Sequence, residues 1–407
     1  MVRRVVVTGM AGITCLGSDW ETIFTALQRY RNGVRYMDEW AHFKDLNTRL
    51  GAPVTDFILP TYYPRSIRRC MGRVAQMAVR ATERALEHAG LLNDPILQEG
   101  RVGVAYGSSS GSVEPVRQFG EMISTGSMAG VTSTSYIQMM SHTTAVNIGL
   151  YFKLTGRVIP SSSACTSSSQ AIGYAYEAIQ YGKADIMIAG GAEELSAAGA
   201  AVFDTLYATS QFNASPEFSP RPFDIARDGL VVGEGGCTLI LEELAHAQER
   251  GAPIYAEVLG FGTNTDGAHV TQPETATMAA AIRLALADAN LPASAIQYVS
   301  AHGTATDRGD IAESQATEQV LGYVPISSLK SYFGHTLGAC GSLEAWLTIQ
   351  MMHAKWFAPT INLTQIDESC GQLDYLMHEG RFLDIQTVMS NNFAFGGINT
   401  SLIFGKF

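Results

Sequence analysis

The chain has 407 residues, 46% of them hydrophobic, and a formal net charge of −11. This length and composition can bury a large core, as packed units or as one duplicated fold, and the negative charge argues against a general binder of nucleic acid or anionic membranes. The six cysteines are scattered without a C-x-x-C pair, which suits a reducing compartment. Neither a signal sequence nor a membrane-length apolar run is apparent, so we expect a cytoplasmic protein without a membrane span.

The predicted elements alternate between strands and helices, which favours an α/β fold. RRVVVTGMAGITCLG predicts a buried strand entering a turn at Gly9, Gly12 and Gly17, whose spacing is not that of a dinucleotide-binding loop. A helical pattern around residues 74–92 and the strand RVGVAYGSSSG follow. Beyond these we predict a helix over 165–182, the strand ADIMIAGGAEE, the Pro-rich loop QFNASPEFSPRPFDIARDGL and the strand GGCTLILEEL.

The second half of the chain repeats this order. PIYAEVLGFGTNT corresponds to the first strand, AIQYVSAHGTATDRGD to RVGVAYGSSSG, SYFGHTLGACGSLEAWLTIQMM to PSSSACTSSSQAIGYAYEAI, and TVMSNNFAFGGINTSLIF to ADIMIAGGAEE with its following strand. Four pairs in one order predict an internal duplication, with an N-terminal half over 1–250 and a C-terminal half over 251–407. Equivalent helix starts then face each other across a pseudo-twofold axis, so Cys165, which opens one helix, should face His335, which opens the other.

Cys165 stands among serines in IPSSSACTSSSQA, directly before a helical pattern. The N-terminus of a helix lowers the pKa of a thiol, and small neighbours let a substrate carbonyl approach free backbone N–H groups. A free cysteine is more often a buried structural residue, and we interpret five cysteines in that way. They are Cys15, Cys70, Cys237, Cys340 and Cys370. Cys165 alone combines a helix start, small neighbours and an equivalent histidine, so we predict that it is a nucleophile.

Two of the nine histidines lie in loops of small residues, His302 in SAHGTATDRGD and His335 in KSYFGHTLGACG. A cysteine with two histidines suits a Cys–His hydrolase, a metal site or acyl transfer. A zinc site needs a further ligand at short spacing, and a hydrolase needs an Asp or Asn to orient its histidine; neither is apparent in the sequence. We therefore favour acyl transfer without a metal, in which imidazole N–H groups stabilise a developing enolate or oxyanion.

The segments SSSACTSSSQAIG, SAHGTATDRGD, SLKSYFGHTLGACG and NNFAFGGINTSLIF, with RPFDIARDGLVVGEG between them, resemble the β-ketoacyl-acyl-carrier-protein synthases of types I and II. The resemblance covers essentially the whole chain. It implies a duplicated, thiolase-like α/β fold of five layers (αβαβα) and a decarboxylative Claisen condensation of an acyl thioester with malonyl-acyl carrier protein, with no cofactor. It also implies a homodimer, or a heterodimer with a related ketosynthase or chain-length-factor subunit.

The resemblance assigns roles to individual residues. Cys165 corresponds to the acylated nucleophile, His302 and His335 bind the thioester oxygen during malonyl decarboxylation, and the backbone N–H groups of Cys165 and Phe395 form the oxyanion hole. It further assigns a supporting ion pair, a gate to the acyl pocket, pantetheine contacts and a docking helix for the acidic carrier protein. The ion pair is Lys330 with Glu344, and the gate is Phe393 with Phe395. The pantetheine contacts are Thr304 and Thr306, and the docking helix carries Arg65, Arg68 and Arg69, with Arg73 one turn on.

Three positions depart from the family pattern. Ala394 replaces the first glycine of the F-G-F-G-G gate loop, Cys340 stands where alanine is usual, and Ser110 stands where a bulky aliphatic residue closes the near end of the acyl pocket. GRVIPSSSACTS and SNNFAFGGINTS are most similar to bacterial ketosynthases of aryl-polyene pathways, a form of polyketide synthesis. The alternatives are housekeeping fatty-acid elongation and a non-condensing chain-length factor, against which the intact cysteine and histidines argue.

Overall fold

The computed structural model describes residues 2–407. Its helices are α1 (Trp20–Gln28), α2 (Arg65–Arg68), α3 (Arg73–His88), α4 (Val113–Thr125), α5 (Ser135–Met139), α6 (Thr143–Phe152), α7 (Ser167–Gln180), α8 (Ala197–Asp204), α9 (Leu244–Glu249), α10 (Thr275–Ala289), α11 (Asp307–Leu321), α12 (Lys330–Phe333) and α13 (Cys340–Ala354). Its strands are β1 (Val5–Ile13), β2 (Arg35–Tyr36), β3 (Leu50–Ala52), β4 (Val102–Gly107), β5 (Val158–Ser161), β6 (Ile186–Glu193), β7 (Val232–Gly233), β8 (Gly235–Glu243), β9 (Ala256–Thr265), β10 (Tyr298–Ser300), β11 (Pro325–Ser327), β12 (Trp356–Phe357), β13 (Asp374–Tyr375), β14 (Arg381–Phe382), β15 (Thr387–Ala394) and β16 (Ile398–Lys406).

Eleven strands form one mixed sheet in the order β13-β11-β10-β15-β16-β9-β1-β8-β6-β4-β5. From the centre outward, the N-terminal half runs β1-β8-β6-β4-β5 and the C-terminal half runs β9-β16-β15-β10-β11-β13, so five strands of each half occupy equivalent places and only the edge strand β13 has no counterpart. The halves join where residues 5–7 of β1 pair antiparallel with residues 256–258 of β9. The predicted duplication is confirmed by this strand order. The domain boundary at residue 250 stays a prediction, because both halves share one sheet.

The first strand of each half contains a glycine in the same setting, after a register shift and against the backbone of a helix. The register of β1 shifts before Gly9 and that of β9 before Gly260. A Cβ at Gly9 would lie 2.4 Å from the Ala85 carbonyl oxygen, and one at Gly260 would lie 2.5 Å from that of Ala285. Gly9 is therefore needed inside β1, where α3 packs closely. The prediction that Gly9 and Gly12 lie in a turn is wrong, because both belong to β1.

Buried apolar side chains separate the molecule into layers. On β8, Leu239 and Leu241 face an inner core that also contains residues of α7 and α13, whereas Ile240 faces an outer core under α3 and α6. A second outer core lies between α10, α11 and the other half-sheet. This alternation of strand side chains places α7 and α13 between the two half-sheets. The five layers αβαβα are those predicted.

Two further features bear on the predictions. The Pro-rich segment predicted as a loop contains a single short 3₁₀ turn, Pro216–Phe218, and otherwise runs without helix or strand up to residue 231. Within residues 2–407, no helix combines the length and the apolar character that a membrane crossing requires.

Candidate active site

Cys165 lies in the turn between β5 and α7, two residues before the helix begins at Ser167. The preceding residue, Ala164, has a φ of 50°, a left-handed conformation that is costly for a residue with a Cβ. Serine side chains satisfy the backbone of this buried turn: the Ser161 hydroxyl donates to the Ser167 carbonyl at 2.7 Å, and the Ser163 N–H donates to the Ser167 hydroxyl at 2.9 Å. The serines around the cysteine therefore hold the turn that presents it.

His335 does not open a helix, contrary to the prediction. A 3₁₀ turn, Leu337–Ala339, separates it from α13, and its backbone is fixed by a hydrogen bond from its N–H to the Val231 carbonyl at 2.7 Å. Leu337 has a φ of 47°, close to the 50° of Ala164. The true counterpart of Cys165 is thus Gly338, because each follows the left-handed residue of its turn.

The structure brings the three predicted catalytic side chains together. His335 Nε2 lies 2.9 Å from Cys165 Sγ. The rings of His302 and His335 meet edge to face, with centroids 5.2 Å apart. One ligand-type atom from each of the three lies within 4.8 Å of the others, and all three residues are buried. This arrangement places both imidazoles beside the sulfur.

The hydrogen bonds of the two rings determine where their protons lie. The Leu337 N–H donates to His335 Nδ1 at 3.3 Å, and the Asn392 amide donates to His302 Nδ1 at 3.4 Å. Burial, together with the charge of Lys330, keeps the pKa of both histidines well below its usual range, so both are neutral. Each ring therefore carries its hydrogen on Nε2 and acts there as a donor. In this state neither Nε2 has a lone pair free to bind a metal ion.

The Cys165 thiol has a raised pKa, not the lowered one that the sequence predicts. Burial raises the pKa to about 11, and the charge of Lys330 and the backbone N–H groups of Phe395 and Cys165 oppose this only in part. The prediction is wrong because it considered the helix terminus alone, whereas desolvation dominates at a side chain that is 4% exposed.

Lys330 and Glu344 form the predicted ion pair, with Lys330 Nζ in contact with Glu344 Oε1 and both side chains buried. The second oxygen of Glu344 accepts a hydrogen bond from the Asn392 amide at 2.7 Å. The pair thus reaches His302 through Asn392. Removing either partner would leave a buried charge without compensation.

Two buried carboxylates fix the His302 loop, and sequence reasoning did not identify them. Glu313 accepts hydrogen bonds from the N–H groups of His302 and Gly303, both at 2.6 Å. Asp310 accepts one from the Thr304 N–H at 3.0 Å. Burial raises the pKa of Glu313 to about 8. The only sequence signal was their place in or just after the motif SAHGTATDRGD, at the start of α11.

The catalytic residues line a cavity of about 480 Å³. Its wall also includes four residues predicted to contact pantetheine or to gate the acyl pocket: Thr304, Thr306, Phe393 and Phe395. The Phe395 ring packs against Phe203, with centroids 5.1 Å apart. Ser110 is not part of this lining and is exposed at the surface of the chain.

The predicted docking helix is α2, on which Arg65 is exposed, with Arg69 exposed just after it. Arg68 is partly buried. Arg73 belongs elsewhere: its guanidinium pairs with the buried Glu234 at 2.8 Å and also donates to a backbone carbonyl. A charge neutralised in this way adds little to a docking surface, so including Arg73 in the basic patch was wrong.

Comparison with known proteins gives consistent matches. The family described as Beta-ketoacyl synthase, N-terminal domain, matches residues 2–247, and the C-terminal domain of the same name matches residues 255–364. The chain is 35% identical to 3-oxoacyl-[acyl-carrier-protein] synthase 1 of Haemophilus influenzae, with 100% of each chain covered.

Solved structures agree over the full length. The crystal structure of a β-ketoacyl synthase from Burkholderia phymatum STM815 superposes with a TM-score of 0.99 at 62% identity, covering 100% of both chains. A ketosynthase solved with a type II PKS acyl-carrier protein, and bound to the hexaketide, superposes with a TM-score of 0.88 at 29% identity, again over 100% of both chains.

Proposed function

Since the chain belongs to the β-ketoacyl synthase family, we propose that Cys165 carries the acyl chain while His302 and His335 act on the malonyl thioester. The protein is a 3-oxoacyl-[acyl-carrier-protein] synthase, an acyltransferase with a Cys–His–His site. The observation that carries the assignment of roles is the 2.9 Å contact of Cys165 Sγ with the Nε2–H of a neutral His335.

In the first half-reaction, Cys165 sulfur attacks the acyl thioester of the carrier protein. A new carbon–sulfur bond forms, the bond to the carrier sulfur breaks, and the proton lost by Cys165 ends on the carrier thiol. The N–H groups of Cys165 and Phe395 hold the oxyanion. The backbone hydrogen bonds that these two groups direct at the Cys165 sulfur support this role.

In the second half-reaction, the malonyl group loses CO2 and its electron pair moves toward the thioester oxygen. The Nε2–H donors of His302 and His335 stabilise that oxygen. The resulting carbanion attacks the carbonyl carbon on Cys165, and the cysteine sulfur leaves. Lys330, paired with Glu344, supplies a fixed positive charge behind the two rings. Thr304 and Thr306 hold the pantetheine arm, and Phe393 and Phe395 separate the cavity from the acyl pocket.

We propose that a second copy of the chain, or a related ketosynthase subunit, pairs along β5. This strand is at the edge of the sheet and pairs with β4 alone. Val158 on β5 is 46% exposed, and Leu150 on α6, which packs against β5, is 61% exposed. An open edge next to exposed apolar side chains is typical of an interface. The Ser162 hydroxyl at the end of β5 donates to the Ser109 carbonyl, so a partner there would also cover the exposed Ser110.

We propose that the acyl group is conjugated or aromatic, as in aryl-polyene synthesis. Ser110 lies outside the cavity at Cys165, so we place it in the part of the acyl pocket that the partner subunit at β5 completes, where it replaces the bulky aliphatic residue of the family pattern. A rigid, flat chain then enters with little steric cost and loses little conformational entropy, because it has few rotatable bonds.

Ser110→Ile is expected to lower condensation with a polyenoyl-carrier protein about tenfold, and to affect a saturated chain of equal length much less. Rates with both substrates and the intact mass of Cys165 after acylation provide the measurement. Ser294→Ile, at an exposed serine of the C-terminal half, is the matched control. Equal rates for both substrates in the wild type would contradict the proposal and favour saturated fatty-acid elongation.

The carrier protein is proposed to dock on α2 through Arg65, Arg68 and Arg69. Reversing Arg68 and Arg69 to Glu is expected to raise the KM for carrier-bound substrate about tenfold at low ionic strength, because an acidic partner is then repelled. The difference should shrink in high salt. Arg29→Glu with Arg31→Glu makes the same charge change at another exposed site and should leave KM unchanged. A KM that is unaltered by the first pair at low salt would refute docking on α2.

A further inference from the structure

Glu193, at the end of β6, is a fully buried carboxylate with no part in the mechanism above. Within residues 2–407 it forms no ion pair, and only N–H and O–H groups donate to it. Burying a carboxylate costs free energy of folding unless hydrogen bonds or an ion pair compensate. Its partners therefore indicate what it does.

The two oxygens of Glu193 connect two loops. Oε1 accepts hydrogen bonds from the Ser108 hydroxyl at 3.0 Å and from the Ser110 hydroxyl and N–H at 3.3 and 3.4 Å. Oε2 accepts bonds from the Ser109 N–H at 2.6 Å, from the Ser109 hydroxyl at 2.5 Å and from the Gly338 N–H at 3.1 Å. The first loop follows β4, and the second is the 3₁₀ turn after His335.

Each of these loops is connected by hydrogen bonds to one residue of the Cys165–His335 pair. On one side, the Ser109 carbonyl accepts a bond from the Ser162 hydroxyl at 3.4 Å, three residues before Cys165. On the other side, Gly338 belongs to the turn whose Leu337 N–H binds His335 Nδ1. The segment that precedes Cys165 and the turn that follows His335 are therefore both connected to the Glu193 carboxylate.

The duplication explains why a carboxylate fits at this position. Gly338 is the counterpart of Cys165, so its N–H corresponds to an N–H of the proposed oxyanion hole. In the C-terminal half that donor, the Gly338 N–H, is occupied by Glu193 Oε2. An N–H group that binds a transient oxyanion in one half thus binds a fixed anion in the other.

We propose that Glu193 is a positioning residue that holds His335 Nε2 against Cys165 Sγ. The proposal rests on the catalytic roles proposed for these two residues. Glu193 itself does not touch the substrate, and it acts through the turn at Gly338 and the loop at Ser109.

Glu193→Gln tests the proposal. The amide has the same size but only one accepting oxygen, so one donor of the network loses its partner. We expect kcat to fall about tenfold through misplacement of His335, with the KM for carrier-bound substrate unchanged. The charge of Glu193 raises the pKa of Cys165, so removing it should move the midpoint of Cys165 alkylation by iodoacetamide to lower pH.

Glu194→Gln is the matched control, because Glu194 Oε1 binds the Val113 N–H at the start of α4 and lies outside this network. It should leave both kcat and the alkylation midpoint unchanged. If Glu193→Gln does not fold, Ser109→Ala removes a single hydroxyl donor and should lower kcat in the same direction by a smaller factor. An unchanged kcat with an unchanged alkylation midpoint would overturn the proposal. A fall in kcat that is fully explained by a smaller folded fraction of the Glu193→Gln protein would overturn it as well. Alkylation is measured without substrate, so it distinguishes this failure from a failure of the proposed function.

Discussion

Cys165→Ala is expected to lower condensation by about 10⁴-fold or more and to leave the fold intact. The substitution removes the sulfur to which the acyl group is transferred, and no neighbouring group replaces it in contact with His335 Nε2. Only one buried heavy atom is lost, so we expect a cost of about 1 kcal/mol or less in the free energy of unfolding. Product formation from acyl- and malonyl-carrier protein, together with the Tm, provides the measurement.

Cys340→Ala is the matched control for this experiment. Cys340 is another buried thiol, and its S–H lies 3.2 Å from the Cys165 carbonyl oxygen. Alanine there removes two weak hydrogen bonds, that one and one from the Asn392 amide at 3.6 Å, and leaves Cys165 in place, so most activity should remain. Condensation by Cys165→Ala at the wild-type rate would exclude Cys165 as the nucleophile and, with it, the whole proposed reaction.

Cys165→Gln is expected to separate the two half-reactions, with condensation lost and CO2 release from malonyl-carrier protein retained. The glutamine amide oxygen takes the place of the acyl-thioester oxygen and accepts hydrogen bonds from the backbone N–H groups of residue 165 and Phe395. The donors of His302 and His335 then remain available to the malonyl group. Because both histidines have a pKa well below the usual range, CO2 release should be constant between about pH 6 and 8.

His302→Ala in the Cys165→Gln background completes this test. The second change removes one of the two donors, and CO2 release should fall about 100-fold. A variant that carries Cys165→Gln alone and releases no CO2 would contradict independent action of the histidines. A step in the rate near pH 6.5 would show instead that one of the two rings titrates in the neutral range.

The sequence was sufficient for the fold class and for the three side chains that meet in the site. The duplication followed from four repeated segments, and Cys165, His302 and His335 each lie in a segment of small residues. The counterpart of Cys165 was not predictable, because it depends on the left-handed conformation of Ala164 and Leu337. Glycine is the residue expected at such positions, and neither residue is one.

Burial by distant parts of the chain accounts for the other errors. The pKa of Cys165 is set by desolvation, which the residues next to it in sequence do not determine. Arg73 was assigned to a surface patch because Glu234, its partner, lies 161 residues away. Glu193 was missed because its partners come from two remote segments, and only the folded chain brings them together.

The matching order of strands in the two halves has a consequence for how the site is assembled. Cys165 comes from one repeat and both imidazoles from the other, and the proposed oxyanion hole takes one N–H from each. A single repeat holds only part of this set, so the site exists only where two repeats lie side by side. In a duplicated chain the two copies of this turn can differ, so that one presents Cys165 and the other presents Gly338, whose N–H binds Glu193.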